Sequence, residues 1–82
     1  MNVLTDQIKG LIEAGMPGSE VRVETDGYKY HAVVVADVFQ GLSPVKRQQT
    51  VYGCINHLIA DGTLHAVTMQ TFTPEEWQQR QA

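Results

Sequence analysis

Residues 32–36 read Ala-Val-Val-Val-Ala. A segment that is apolar at every position has no side to offer to water. As a strand it needs cover on both faces, either from its place inside a sheet or from helices packed tightly on it. This run therefore points to a layered domain of helices and sheet. Upstream, residues 20–24 alternate, with Val21 and Val23 on one side and Glu20, Arg22 and Glu24 on the other. That is the pattern of a half-buried strand. Asp26-Gly27 lies between the two segments and is a strong hairpin signal, which makes these strands antiparallel.

Helical spacing frames the strands. Val3, Leu4, Ile8, Leu11 and Ile12 recur at intervals of three and four, predicting an amphipathic helix over 3–14. Asn2 or Thr5 is its candidate cap, and Gly15 its stop. Ser43 and Pro44 open a second helix as N-cap and first residue. Its apolar stripe is Val45, Val51, Tyr52, Ile55, Leu58 and Ile59, and Asp61-Gly62 ends it. Residues 63–70 are expected to form the third strand. Thr73 and Glu76 form a capping box, with Phe72 and Trp77 placed for a hydrophobic staple, predicting a last helix over about 74–80. The order is α-β-β-α-β-α. The second and third strands are joined through a helix and are expected to be parallel. The expected core is Ile8, Leu11, Val21, Val23, Val33, Val35, Tyr52, Ile55, Ile59 and Trp77.

Eighty-two residues make one small domain with a modest core. No linker or repeat divides the chain. A cleft between two domains is out of reach, which favours a binding module over an enzyme. The formal net charge of −3 runs against non-specific nucleic-acid binding and against anionic membranes. The single cysteine, Cys54, excludes an internal disulfide framework. The start, MNVLTDQIKG, lacks the basic and apolar regions of a signal peptide. No segment approaches the roughly 20 apolar residues of a membrane span. A cytoplasmic protein is the expectation.

The sequence holds no Ser-His-Asp arrangement, HExxH or phosphate loop. Glu75-Glu76 reads as helix-start chemistry. His65, among Leu64, Ala66, Val67 and Met69, reads by its neighbours as a core histidine; the alternative is a metal ligand. Cys54 falls on the apolar side of the second helix, as a small hydrophobe. His57 falls on the polar side. Gly15-Met16-Pro17-Gly18 spells the GxxG with which KH domains clamp nucleic-acid backbones, but here it joins a helix to a strand. Lys46 and Arg47, in the first turn of the second helix, are the candidate nucleic-acid contacts. Six Lys and Arg in all make a thin footprint, so any DNA binding is expected to be weak and electrostatic.

VFQGLSPVKRQQTVYG, then LIADGTLHAV, then TFTPEEW resemble the BolA family in motif, order and spacing. The KRQQTVYG stretch resembles its acid-stress-inducible bacterial branch, the IbaG-like proteins. The resemblance runs from about residue 20 to residue 77. It implies a class II KH-like fold, an α+β arrangement of a three-stranded mixed sheet with helices packed on it. It implies a non-enzymatic adaptor that binds a monothiol glutaredoxin carrying glutathione and shares a bridging [2Fe-2S] cluster, acting in iron–sulfur trafficking and stress response. His65 matches the family's cluster histidine at the start of the third strand. The family's second ligand comes from the hairpin, where this chain has Tyr28 or Lys29; His31, two residues from Lys29, is the candidate second ligand. The resemblance also implies, as the alternative, a DNA-binding regulator acting through a helix-turn-helix-like region near the second helix and third strand, although the net charge argues against this as the main activity. Alone, the chain is expected to be a monomer or weak homodimer.

Overall fold

A computed structural model describes residues 3–81 of the chain. Helix α1 spans Val3–Gly15, strand β1 Glu20–Thr25 and strand β2 Tyr30–Val35. A single 3-10 turn over Asp37–Phe39 leads to helix α2, Pro44–Ala60. Strand β3, Val67–Phe72, and helix α3, Pro74–Gln81, complete the order. The sheet runs β1-β2-β3. β1 and β2 are antiparallel and β2 and β3 parallel, so the Val-rich strand is central, as its two-sided apolarity requires.

Alternation along the strands gives the sheet two distinct faces. Val21 and Val23 of β1 and Ala32 and Val34 of β2 face α1 and α2. There they join Ile8, Ile12, Val51, Ile55, Leu58, Phe39 and Leu64 in one core. Arg22, Val33 and Val35 line the opposite face beside Trp77 of α3. Val33 is thus only half-buried, whereas Val35 is buried as expected but on this second face, and Ala32 and Val34 point into the main core in their place. A run apolar at every position carries no parity, so residue type could not tell the faces apart. Leu11, Val23 and Ile59 are half-buried against the core, whereas Ile8, Val21 and Ile55 lie fully within it.

Local chemistry sets the element ends. Ser43 Oγ accepts the Lys46 N–H at 3.3 Å, with Pro44 in the first turn of α2. Thr73 Oγ1 accepts the Glu76 N–H, and a Glu76 carboxylate oxygen accepts the Thr73 N–H at 2.8 Å, the reciprocal capping box. Phe72 and Trp77 close the staple with ring centroids 5.2 Å apart. At the other end of the chain, α1 already includes Thr5, so Thr5 is not its cap; Asn2 lies outside the described residues.

β3 begins later than the 63–70 expected. Asp61 Oδ1 accepts the Thr63 N–H, and the Leu64 N–H donates to Leu58 O. These bonds curl residues 61–64 back on α2. The chain joins β2 only where Ala66 O meets the Tyr30 N–H at 3.0 Å.

Candidate functional site

The late start of β3 decides where His65 stands. It lies in the loop between α2 and β3, next to Leu64, which is 1% exposed. Leu64 plugs into the core and fixes the loop, leaving His65 on the surface. His65 is exposed, and among the described residues its ring meets no hydrogen-bond partner. The core-histidine alternative is thereby excluded, and so is a strand-borne position. The imidazole borders an open depression of about 340 Å³ with Tyr28, Gly27, Tyr30 and Thr63. Neutral imidazole with a free nitrogen is a competent donor to iron or zinc.

The hairpin tip forms the other wall. Asp26 Oδ1 accepts the N–H groups of Tyr28 and Lys29, each at 2.8 Å. Those two bonds hold the Asp26 carboxyl below the usual aspartate range. Gly27 supplies the positive φ, 95°, that the turn needs. Tyr28 is left 82% exposed beside His65.

The structure does not bring His31 and His65 together. His31 faces the opposite side of the sheet, in a separate depression with Glu24, Lys29 and Thr68. Its Nδ1 lies 2.6 Å from Thr68 Oγ1 and its Nε2 3.4 Å from Gln70 Oε1. Of the hairpin residues, Tyr28 rather than His31 shares the His65 depression, because the turn places residue 28 on the His65 side. Among the described residues no group of three His, Cys, Asp or Glu side chains could hold a metal ion.

Cys54 is half-buried, and burial raises its thiol pKa. Its Sγ donates to Thr50 O at 3.6 Å, and it packs against the core. It is a poor thiolate donor where it sits. His57 is exposed on α2. The Gly15–Gly18 segment connects α1 to β1 and buries Met16 in the core, a packing role. Arg47 and Lys46 part company. Arg47 donates through Nη1 to Glu76 at 2.7 Å and through Nε to the Leu42 carbonyl at 3.0 Å, and its guanidinium stacks over Phe39. That guanidinium is committed internally, so the expected cationic pair reduces to Lys46, which is exposed. Sequence reasoning missed Leu64 as the anchor of His65 and Arg47 as a tie to α3; a lone apolar residue before the histidine, and an arginine spaced from a remote glutamate, give no local signal of either.

Among the described residues no helix is long and apolar enough to cross a membrane.

The family model described as BolA-like protein matches residues 13–76. The acid stress protein IbaG of Escherichia coli K12 is 39% identical over 72 residues, covering 88% of this chain and 86% of that protein. A bolA protein homologue from Coxiella burnetii superposes with a TM-score of 0.79 at 33% identity, covering 94% of this chain and 99% of that one. The BolA domain of SufE1 from Arabidopsis thaliana gives a TM-score of 0.81 at 27% identity, over 93% and 98% of the two chains. The matched segment includes the hairpin, α2, the His65 loop and the α3 cap, and on this footing the chain belongs to the BolA family.

Proposed function

We propose that the chain is a BolA-type adaptor of the cytoplasm that docks a monothiol glutaredoxin and takes up, as shared cargo, a [2Fe-2S] cluster through His65. The observation that carries the reading is the His65 imidazole: exposed, without an internal partner, and seated by the buried Leu64. The residues fit one ligand from this chain. The remaining coordination comes from outside this chain, from the partner's cysteine and its glutathione. A histidine ligand raises the potential of such a cluster relative to an all-cysteine one, and it leaves the iron when the ring is protonated. Both properties suit transfer or sensing in a stress response, and neither requires turnover, so the chain acts by docking rather than catalysis. The DNA-binding alternative loses support, since Arg47 is engaged with Glu76 and the net charge is −3.

The test is co-expression with a monothiol glutaredoxin, followed by visible absorption and circular dichroism of the purified complex. His65→Ala is expected to abolish or strongly weaken the shared cluster signal. Alone, the variant should melt within about 0.5 kcal/mol of the parent, as for an exposed residue without partners. An unchanged cluster spectrum in His65→Ala overturns the reading.

A further inference from the structure

We propose that the Arg47–Glu76 contact is an acid-released latch: protonation of Glu76 frees α3 from the sheet and uncovers the apolar face of Val33, Val35 and Phe72. This inference is independent of the cluster reading.

The Glu76 carboxylate is exposed to solvent on one side and meets donors on the other. Oε1 accepts from Arg47 Nη1 at 2.7 Å and from the Thr73 N–H at 2.8 Å, while Oε2 accepts from Arg47 Nη2 at 3.4 Å. A proton on Oε2 leaves the two short bonds to Oε1 possible but removes the charge that strengthens them and the ion pair with Arg47. One charge therefore holds two things at once: the ion pair to α2 and half of the α3 cap. Arg47 is itself fixed by the Leu42 carbonyl and the Phe39 ring, so it cannot follow the helix outward.

The helix has little else to hold it. α3 is 8 residues long, too short to persist alone in water. Its apolar anchor is Trp77, half-buried against Phe72, with Arg22 over the indole at 6.0 Å. Glu75, Gln78 and Gln79 are exposed, and Arg80, also exposed, holds its guanidinium over the Phe72 ring at 5.4 Å. The core shared by α1, α2 and the sheet contains no α3 side chain, so α3 can leave without opening it.

The direction of the pH effect follows from the bonds. Arg47 first, then the Thr73 N–H, hold the Glu76 carboxyl below the usual glutamate range. Docking is therefore strongest above the ordinary carboxylate value and is lost as pH falls through the lower, folded one. The charged or titratable groups lining this depression are Arg47 from α2 and Glu75 and Glu76 from α3; Gln40, Thr73 and Gln79 do not titrate there.

Trp77 is the single tryptophan of the chain, so emission excited selectively at the indole reports α3. The full chain is titrated from neutral pH to about pH 2.5, following Trp77 emission and far-ultraviolet ellipticity together. The expected result is a shift toward solvated-indole emission with its midpoint below the ordinary glutamate value of about 4.3, while most of the ellipticity remains. In Glu76→Gln the emission should no longer change across that midpoint. If it instead starts at the solvated value at neutral pH with ellipticity retained, the charge is needed for docking and the latch stands. The proposal is overturned if parent emission does not move, if emission and ellipticity fall together in the parent, or if Glu76→Gln titrates with the parent's midpoint.

Discussion

Gly15 of α1 lies against Cys54 of α2, and the two positions are expected to be energetically coupled. A Cβ built on Gly15 would lie 2.6 Å from Cys54 Sγ and 3.5 Å from Cys54 Cβ. Gly15→Ala must therefore displace the sulfur or spread the helices. Rotating the thiol away gives up its contact with Thr50 O, and a helix leaves few alternative rotamers. Overpacking of this kind costs about 1–3 kcal/mol, offset by up to about 1 kcal/mol from the better helix propensity of alanine. The expected net loss is about 1 kcal/mol, or roughly 4–8 °C in melting temperature for a domain of this size. Cys54→Ala alone should cost about 1 kcal/mol for a half-buried sulfur. In the double variant the clashing atom is gone, so Gly15→Ala should become neutral or stabilising. Thermal and urea melts of the four proteins close the cycle. If the two substitutions add to within about 0.3–0.5 kcal/mol, the helices do not meet at this sulfur and the packing role given to Cys54 is wrong.

Leu64→Ala should cost about 2–5 kcal/mol, as for other fully buried leucines, and should weaken the shared cluster well below its unfolding temperature by loosening the His65 loop; a variant that melts like the parent refutes the anchoring role. Asp26 accepts two backbone N–H groups only as a good acceptor, and its carboxyl is held low by them, so hairpin stabilisation is present above the ordinary aspartate pKa and lost as pH falls through the lower folded value. The Tyr28 and Lys29 amide resonances should report that transition and lose it in Asp26→Asn; a midpoint at or above the ordinary aspartate value of about 3.9 counts against it.

Much of this fold is legible because its signals are local. Ser43-Pro44, the Thr73–Glu76 box and the Phe72–Trp77 staple each act within a few residues, and each appears in the structure where the sequence puts it. The order and pairing of the strands follow from connection length. What failed to show needed long-range information. The parity of the Val33–Val35 run is settled by helices far away in sequence. The first residue of β3 is settled by where Tyr30 lies. For the site, the family motif singles out His65, but its neighbours Leu64, Ala66 and Val67 look like a buried strand. Only the turn through residues 61–64 shows that the histidine is turned outward while Leu64 alone goes in. His31 looked near to the hairpin donor position by count, yet strand alternation sends it to the far side of the sheet.

The His65 loop takes its position from Tyr30, through the Ala66 carbonyl, and from Leu64 in the core. Among the described residues no hydrogen bond ties it to the tip of the hairpin, whose bonds run among Thr25, Asp26, Gly27, Tyr28 and Lys29. The two walls of the depression are thus built separately. Residues at the tip can be exchanged, inserted or removed over evolutionary time without disturbing the histidine's seat, as exposed loops generally allow. A protein made this way can change the wall facing His65 by altering a turn rather than rebuilding a domain.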